Sequence, residues 1–181
     1  IECSKSTPIF TIIKWCLLMT IREAIILAAG KSTRLRCLIG NLPKQLVRIY
    51  NAPLVAFPIS SLLRNNVEKF YIVTNPRSSR FISKLVSIAD LDAEIIINDQ
   101  PDRGNGYSFM LGLRHITDNK AFLSMSDHIY GPEVPKVLLQ KNLEYDYYDI
   151  MVGVDSNPKY IDVDEATKVY VNDSRVLSIG K

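Results

Sequence analysis

An α/β fold, a mostly parallel sheet flanked by helices on both faces, is predicted by three features of this 181-residue chain. Short apolar runs of strand character alternate with longer segments of helical periodicity. The runs are bounded by Gly, Pro, Asn, Asp and Ser. Residues capable of chemistry stand directly after several of these runs, and ligands of such sheets bind beyond the carboxyl ends of the strands.

The elements follow in order. Residues 23–30, Glu-Ala-Ile-Ile-Leu-Ala-Ala-Gly, read as a buried strand emptying into a phosphate-holding loop, because a small and apolar run gives way to a cation and hydroxyls. Residues 46–50 read as a short strand and 51–53, Asn-Ala-Pro, as a turn. A helix is expected over 54–65, with Phe57, Leu62 and Leu63 near one face and Pro58 in the first turn. Residues 69–74 form the next buried strand. The helix over 78–89 carries Phe81, Leu85 and Ile88 on one stripe, with Ile82, Val86 and Ala89 beside it. A strand at 93–97, a helix at 107–115, a strand at 121–124, a helix at 132–141 and a strand at 149–154 continue the alternation. A hairpin of 168–171 and 175–179 around Asn172-Asp173-Ser174 closes it. No linker, low-complexity tract or internal repeat interrupts the series.

Residues 1–18 are different in kind. The apolar run from Ile9 to Leu18 is interrupted by Lys14, is too short to span a bilayer, and precedes no small-residue cleavage site. Met19 stands just before the first strand, so 1–18 read as an extension outside the fold and 19–181 as the domain. A net charge of +3 with no basic stripe interleaved with aromatics argues against nucleic acid as a partner. Cys3, Cys16 and Cys37 have neither metal-type spacing nor a disulfide framework, which fits reduced thiols in a cytoplasmic protein.

The loop after the first strand is the candidate site. Ala28, Ala29 and Gly30 let backbone amides approach an anion, and Lys31, Arg34 and Lys44 neutralise negative charge. Gly30-Lys31-Ser32 copies the end of the P-loop, but the glycine that motif needs five residues earlier is replaced by Ile25, so that reading fails. Asp127, in Ser126-Asp127-His128 after the 121–124 strand, is a carboxylate that is costly to bury unless something positive meets it; nucleotide-borne Mg²⁺ is a natural partner. His128 is a polar neighbour that can orient Asp127, and His115 a helix-end residue. In Gly104-Asn105-Gly106-Tyr107-Ser108 glycine lets the chain pass close to a flat ligand.

Leu-Ala-Ala-Gly, then Thr33-Arg34-Leu35, then Pro43-Lys44, resembles the signature of the sugar-phosphate nucleotidyltransferases, a Rossmann-like (GT-A-like) fold. The resemblance implies that Leu27, Ala28, Ala29, Gly30 and Thr33 wrap a nucleoside triphosphate, that Arg34 and Lys44 hold phosphates, and that Asp127 binds the metal. It further implies that Gln100, Asn105 and Gly106 contact the base. Ser32 departs from the pattern, standing where the family commonly has a second glycine. With Ser126-Asp127-His128-Ile129-Tyr130 included, the chain is similar to one branch, the archaeal CTP:inositol-1-phosphate cytidylyltransferases, over 20–181. That likeness implies CTP and a polyol or sugar phosphate as substrates, Mg²⁺ as cofactor, CDP-inositol and pyrophosphate as products, and, in some members, fusion to a membrane-bound domain. Another sugar-1-phosphate or phosphocholine nucleotidyltransferase, or a non-catalytic nucleotide-binding fragment, is the alternative. The family's second metal-binding aspartate has no convincing equivalent among Asp155, Asp162, Asp164 and Asp173, so the domain reads as cut short of its last strand and helix.

Overall fold

The computed structural model describes residues 20–40, 42–144, 149–159, 164 and 166–180; the expectation for residues 1–18 lies outside them. Two compact units divide the chain, Ile1–Asp146 and Tyr147–Lys181. In the first, β1 (Glu23–Ala28), β4 (Lys69–Thr74), β5 (Ala93–Ile97) and β6 (Ala121–Met125) form a parallel sheet in the order β5-β4-β1-β6. Ile26 lies between Ile72 and Ser124, and Ile72 beside Ile95. A small antiparallel ladder, β2 (Arg48–Ile49) and β3 (Ala52–Pro53), stands where a longer strand and a turn were expected. The helices are α1 (Arg36–Ile39), α2 (Ala56–Leu63), α3 (Pro76–Ile88), α4 (Gly104–Leu113) and α5 (Glu133–Glu144).

Period-two alternation sends the sheet's side chains into two cores. Ala24, Ile26, Phe70 and Ile72 meet Ile59 and Leu62 of α2, Ile82, Leu85 and Val86 of α3, and Leu138 of α5. On the other face Ile25, Leu27, Tyr71 and Val73 meet Phe109 and Leu111 of α4. Gly112 brings α4 against the sheet: a Cβ there would lie 2.7 Å from Ile25 Cγ2 and 3.1 Å from Val73 Cγ2. Burial on both faces explains why β1 and β4 read as unbroken apolar runs rather than alternating ones.

Glu23 ties the amino end of β1 to its surroundings. Its carboxylate accepts hydrogen bonds from Thr117 N (2.8 Å), Thr117 Oγ1 (2.7 Å), Asp118 N (2.9 Å) and Tyr71 Oη (3.0 Å). Burial alone would raise its pKa, but these donors outweigh burial and hold it below the ordinary glutamate value.

Several expectations need correction. The buried residues of α3 include Ser78 and Ile82, with Leu85 and Val86 packed on the core, whereas Phe81 and Ile88 are exposed. Residues 149–154 form no strand: the apolar run Ile150-Met151-Val152 suits one, but a strand needs a partner ladder, and the described residues supply none. Helix α3 starts at Pro76, two residues early, since Asn75 Oδ1 accepts Ser78 N–H at 3.0 Å and proline suits the first helical position. Helix α4 starts at Gly104, whose φ of +82° turns the chain into it.

In the second unit β7 (Lys168–Asn172) and β8 (Arg175–Gly180) pair as the expected hairpin. Asp173 and Ser174, both left-handed, make its turn. Among the described residues no helix is long and apolar enough to cross a membrane.

Candidate functional site

The chain runs from β1 to β4 and β5 on one side, then returns to place β6 on the other side of β1. That reversal opens a crevice at the carboxyl ends of β1 and β6, where ligands of such sheets bind. The loops after these two strands meet there. Lys44 Nζ lies 2.5 Å from Asp127 Oδ2, with both side chains mostly buried. A Cβ on Gly30 would stand 3.5 Å from Lys44 Cε and 3.7 Å from Nζ, so Gly30 lies against the same lysine. Lys44 thus meets Asp127 with positive charge, where the sequence pointed to nucleotide-borne Mg²⁺ as the partner.

Asp127 keeps one oxygen in reserve: Oδ1 is buried and, among the described residues, has no hydrogen-bond partner. Burial would raise the pKa of this carboxyl, but the Lys44 hydrogen bond and charge, with a smaller contribution from His128, hold it below the usual aspartate value. An ionised oxygen with unspent lone pairs suits a hard cation, and nucleotide-borne Mg²⁺ needs only one or two carboxylates beside phosphates and waters. Among the described residues no cluster of three His, Cys, Asp or Glu could hold a metal without a nucleotide.

Neighbouring contacts fix the Asp127 loop. Ser126 N donates to Leu27 O at 3.0 Å, Ser61 Oγ to Tyr130 O at 2.5 Å, Tyr130 Oη to Ser124 Oγ at 2.8 Å, and Asn65 Nδ2 to Pro132 O at 2.9 Å. His128 is exposed beside it. His115 pairs with Glu94 at 2.8 Å on β5, away from this chemistry.

Three amide side chains organise the other loops; of these, sequence reasoning marks Asn98, with Asp99, as a chemistry-capable residue at the end of the 93–97 strand, and gives Asn75 and Gln45 no role. Asn75 Nδ2 donates to Ala29 O (3.0 Å) and Gly30 O (3.4 Å). Because these peptides are trans, the N–H groups of Gly30 and Lys31 point the opposite way, and among the described residues no acceptor takes them. Gln45, fully buried, donates to Ala28 O. Asn98, also fully buried, donates to Ser108 Oγ at 2.9 Å and accepts Gln100 N–H at 2.8 Å. A signal for Asn75 was legible, since Asn-Pro opening a helical pattern is a helix start; Gln45 carries no comparable local signature.

A cleft of about 480 Å³ opens beside Gly30, lined also by Lys31, Ser32, Asn75, Arg77 and Asp99. Lys31 Nζ meets Asp102 Oδ2, another lining residue, at 2.5 Å. The segment after β5 lines the cleft through Asp99, Pro101 and Asp102, whereas Gln100, Asn105 and Gly106 are exposed and outside the lining. Leu27 and Ala28 are core side chains, Ala29 is buried, and Thr33 is exposed at the start of a turn. The side chain of Arg34 lies outside what is described; its backbone belongs to the turn Thr33–Leu35.

Ser32 sits at φ +56°, the left-handed region open to glycine and costing other residues about 1–3 kcal/mol. Its Oγ accepts Lys44 N–H at 3.0 Å.

A glycine-bearing loop, a lysine and a carboxylate meet at the switch point of a parallel sheet, the place where α/β proteins of this class bind their ligands. Residues 24–160 match the MobA-like NTP transferase domain, and the chain belongs to that family. It is similar to the bifunctional IPC transferase and DIPP synthase of Thermococcus kodakarensis, 37% identical over 164 residues, which cover 90% of this chain and 35% of that protein. The protein of the same name from Archaeoglobus fulgidus is 35% identical over 159 residues, covering 88% of this chain and 29% of its own length. The chain thus spans about a third of these curated relatives. Among solved structures, the inositol-1-phosphate CTP transferase from T. maritima superposes with a TM-score of 0.74 at 30% identity, over 88% of this chain and 64% of that one.

Proposed function

We propose that this domain transfers CMP from CTP to inositol 1-phosphate, giving CDP-inositol and pyrophosphate. The observation that carries the reading is the Lys44–Asp127 pair beside Gly30 at the β1/β6 crevice. The names of its similar relatives support the choice of substrates. The nucleoside takes the cleft toward β4 and β5, with its phosphates on the unspent N–H groups of Gly30 and Lys31. The acceptor lies on the Lys44 side.

The acceptor phosphate is already ionised at neutral pH, so no protein nucleophile is required. One of its oxygens attacks the α-phosphorus in line; the new P–O bond forms as the bond to the β-phosphate bridging oxygen breaks, and that electron pair leaves with pyrophosphate. Lys44 and Arg34 neutralise phosphate charge, while Gly30 and the rigid Asp127 loop hold the reactants in line. Asp127, through Oδ1, is the residue that would hold Mg²⁺, which when bound supplies charge neutralisation between the phosphates.

The test is pyrophosphate release by the purified chain across CTP, UTP and dTTP, each with inositol 1-phosphate, glucose 1-phosphate or phosphocholine, with and without Mg²⁺. CTP with inositol 1-phosphate and Mg²⁺ is expected to be fastest. Equal or faster turnover of another pair, or CTP binding by calorimetry without turnover, overturns the assignment.

A further inference from the structure

We propose that Ser32 is a positioning residue: its hydroxyl sets the geometry of the Lys44–Asp127 pair, and thereby the rate of the transfer proposed above, on which this inference rests. The turn Lys44–Leu46 follows Pro43, which offers no side-chain acceptor for the turn's first N–H groups. Ser32 provides one from 12 residues away, its Oγ accepting Lys44 N–H at 3.0 Å. The same turn carries Gln45, whose amide grips Ala28 O, and Lys44, whose ammonium meets Asp127 at 2.5 Å. Ser32 also lines the nucleotide cleft. The cleft loop, the lysine and the aspartate are therefore joined in series through one hydroxyl.

The backbone sharpens the argument. Glycine would occupy φ +56° freely, yet a serine stands there. A residue that must bear this conformation and also cap a distant turn explains the choice, because glycine satisfies only the first requirement. The two requirements can be separated by substitution. Ser32→Gly relieves the backbone and deletes the acceptor, Ser32→Ala keeps the backbone cost and deletes the acceptor, and Ser32→Asn tolerates the left-handed region while restoring a side-chain oxygen.

The experiment measures, for the full chain and the three variants, thermal unfolding, hydrogen exchange of the Lys44 amide by NMR, and kcat and KM for CTP in pyrophosphate release. Ser32→Gly is expected to unfold no earlier than wild type, yet to lose kcat about tenfold, as for groups that orient a metal ligand. Its KM for CTP should stay within about threefold, as fits a group that acts through placement rather than ground-state binding. Lys44 amide exchange should accelerate in the Gly and Ala variants, and Ser32→Asn should recover both exchange protection and kcat. A Ser32→Gly enzyme with wild-type kcat, or unchanged Lys44 exchange in the Gly and Ala variants, overturns the proposal. If wild type shows no turnover at all, the transfer reading fails separately, and Lys44 exchange alone then decides whether Ser32 holds the lysine.

Discussion

Replacing Asp127 with asparagine isolates the charge at the crevice from the shape of the loop. Asparagine retains an oxygen facing Lys44 Nζ, now 2.5 Å from Asp127 Oδ2, and the loop remains anchored by Ser126, Tyr130 and Ser61. The Lys44 side chain is 23% exposed, so its ammonium keeps some water when the counter-charge is lost. The folding cost is therefore expected to be about 1 kcal/mol. The cost to the reaction is larger. A preorganised electrostatic group aimed at developing charge is worth about a hundredfold in rate, or about 2.7 kcal/mol. Pyrophosphate release by Asp127→Asn should fall by about that factor at saturating Mg²⁺, with the thermal midpoint lowered by only a few degrees. Lys44→Met should produce a comparable loss, and the double variant should lose less than the sum of the two, since both belong to one contact. Asp127→Asn turnover within threefold of wild type would refute a catalytic role for the carboxylate.

Three further outcomes follow from geometry away from that pair. Glu23 has a folded pKa below its ordinary value of 4.5, so the folded state binds fewer protons; its stabilisation is complete above that pH and is lost as pH falls through the lower folded value. Unfolding monitored against pH should show this acid-side loss, and Glu23→Gln, costing about 2–3 kcal/mol near neutrality, should flatten it; an unflattened profile would assign the acid sensitivity elsewhere. Gly112→Ala forces a methyl to 2.7 Å from Ile25 Cγ2, and an overpacking cost of about 1–3 kcal/mol should exceed the gain of up to about 1 kcal/mol in helix propensity. A thermal midpoint equal to or above wild type would show that α4 can lift off the sheet at little cost. Asp102→Asn releases Lys31 from an exposed pair and should tighten CTP binding about two- to fivefold at low salt, with the gain vanishing at high salt; unaltered calorimetric affinity would remove Lys31 from the triphosphate site.

Most of the sheet was legible in the amino acids because burial on both faces leaves an unmistakable record. Ala-Ile-Ile-Leu-Ala and Phe-Tyr-Ile-Val are continuous apolar runs; the second predicts its strand to the residue, and the first strand ends at Ala28 within the segment read to Gly30. Patterns open to two readings were less informative. Phe81 and Ile88 look like a core stripe on a helical wheel, but the stripe through Ser78 and Ile82 faces the sheet, since a small polar residue packs there as readily as an apolar one. Residues 149–154 hold the apolar run Ile150-Met151-Val152, which has strand character, but an apolar run carries no information about a partner. At the site, Gly30, Lys44 and Asp127 were legible from their positions after strands, and they do converge. Gln100, Asn105 and Gly106, which the resemblance assigned to the base, are exposed beside a cleft lined by Asp99, Pro101 and Asp102, and α4 begins early enough to carry Asn105 and Gly106 in its first turn. The roles of Gln45 and Asn75 escaped notice since holding backbone groups across long sequence separations has no local periodicity, whereas Asn98 was legible by its place at a strand end.

The strand order has a consequence for biosynthesis. Lys44 and Asp127 are 83 residues apart, and the strand preceding the aspartate is the last to join the sheet in chain order. At about 5–20 residues per second, the cationic loop leaves the ribosome on the order of 4–17 s ahead of its counter-charge. A nascent chain halted ahead of Ala121 lacks β6 and the carboxylate, so the Lys44–Asp127 contact reports that the last strand has joined the sheet rather than that folding has merely begun.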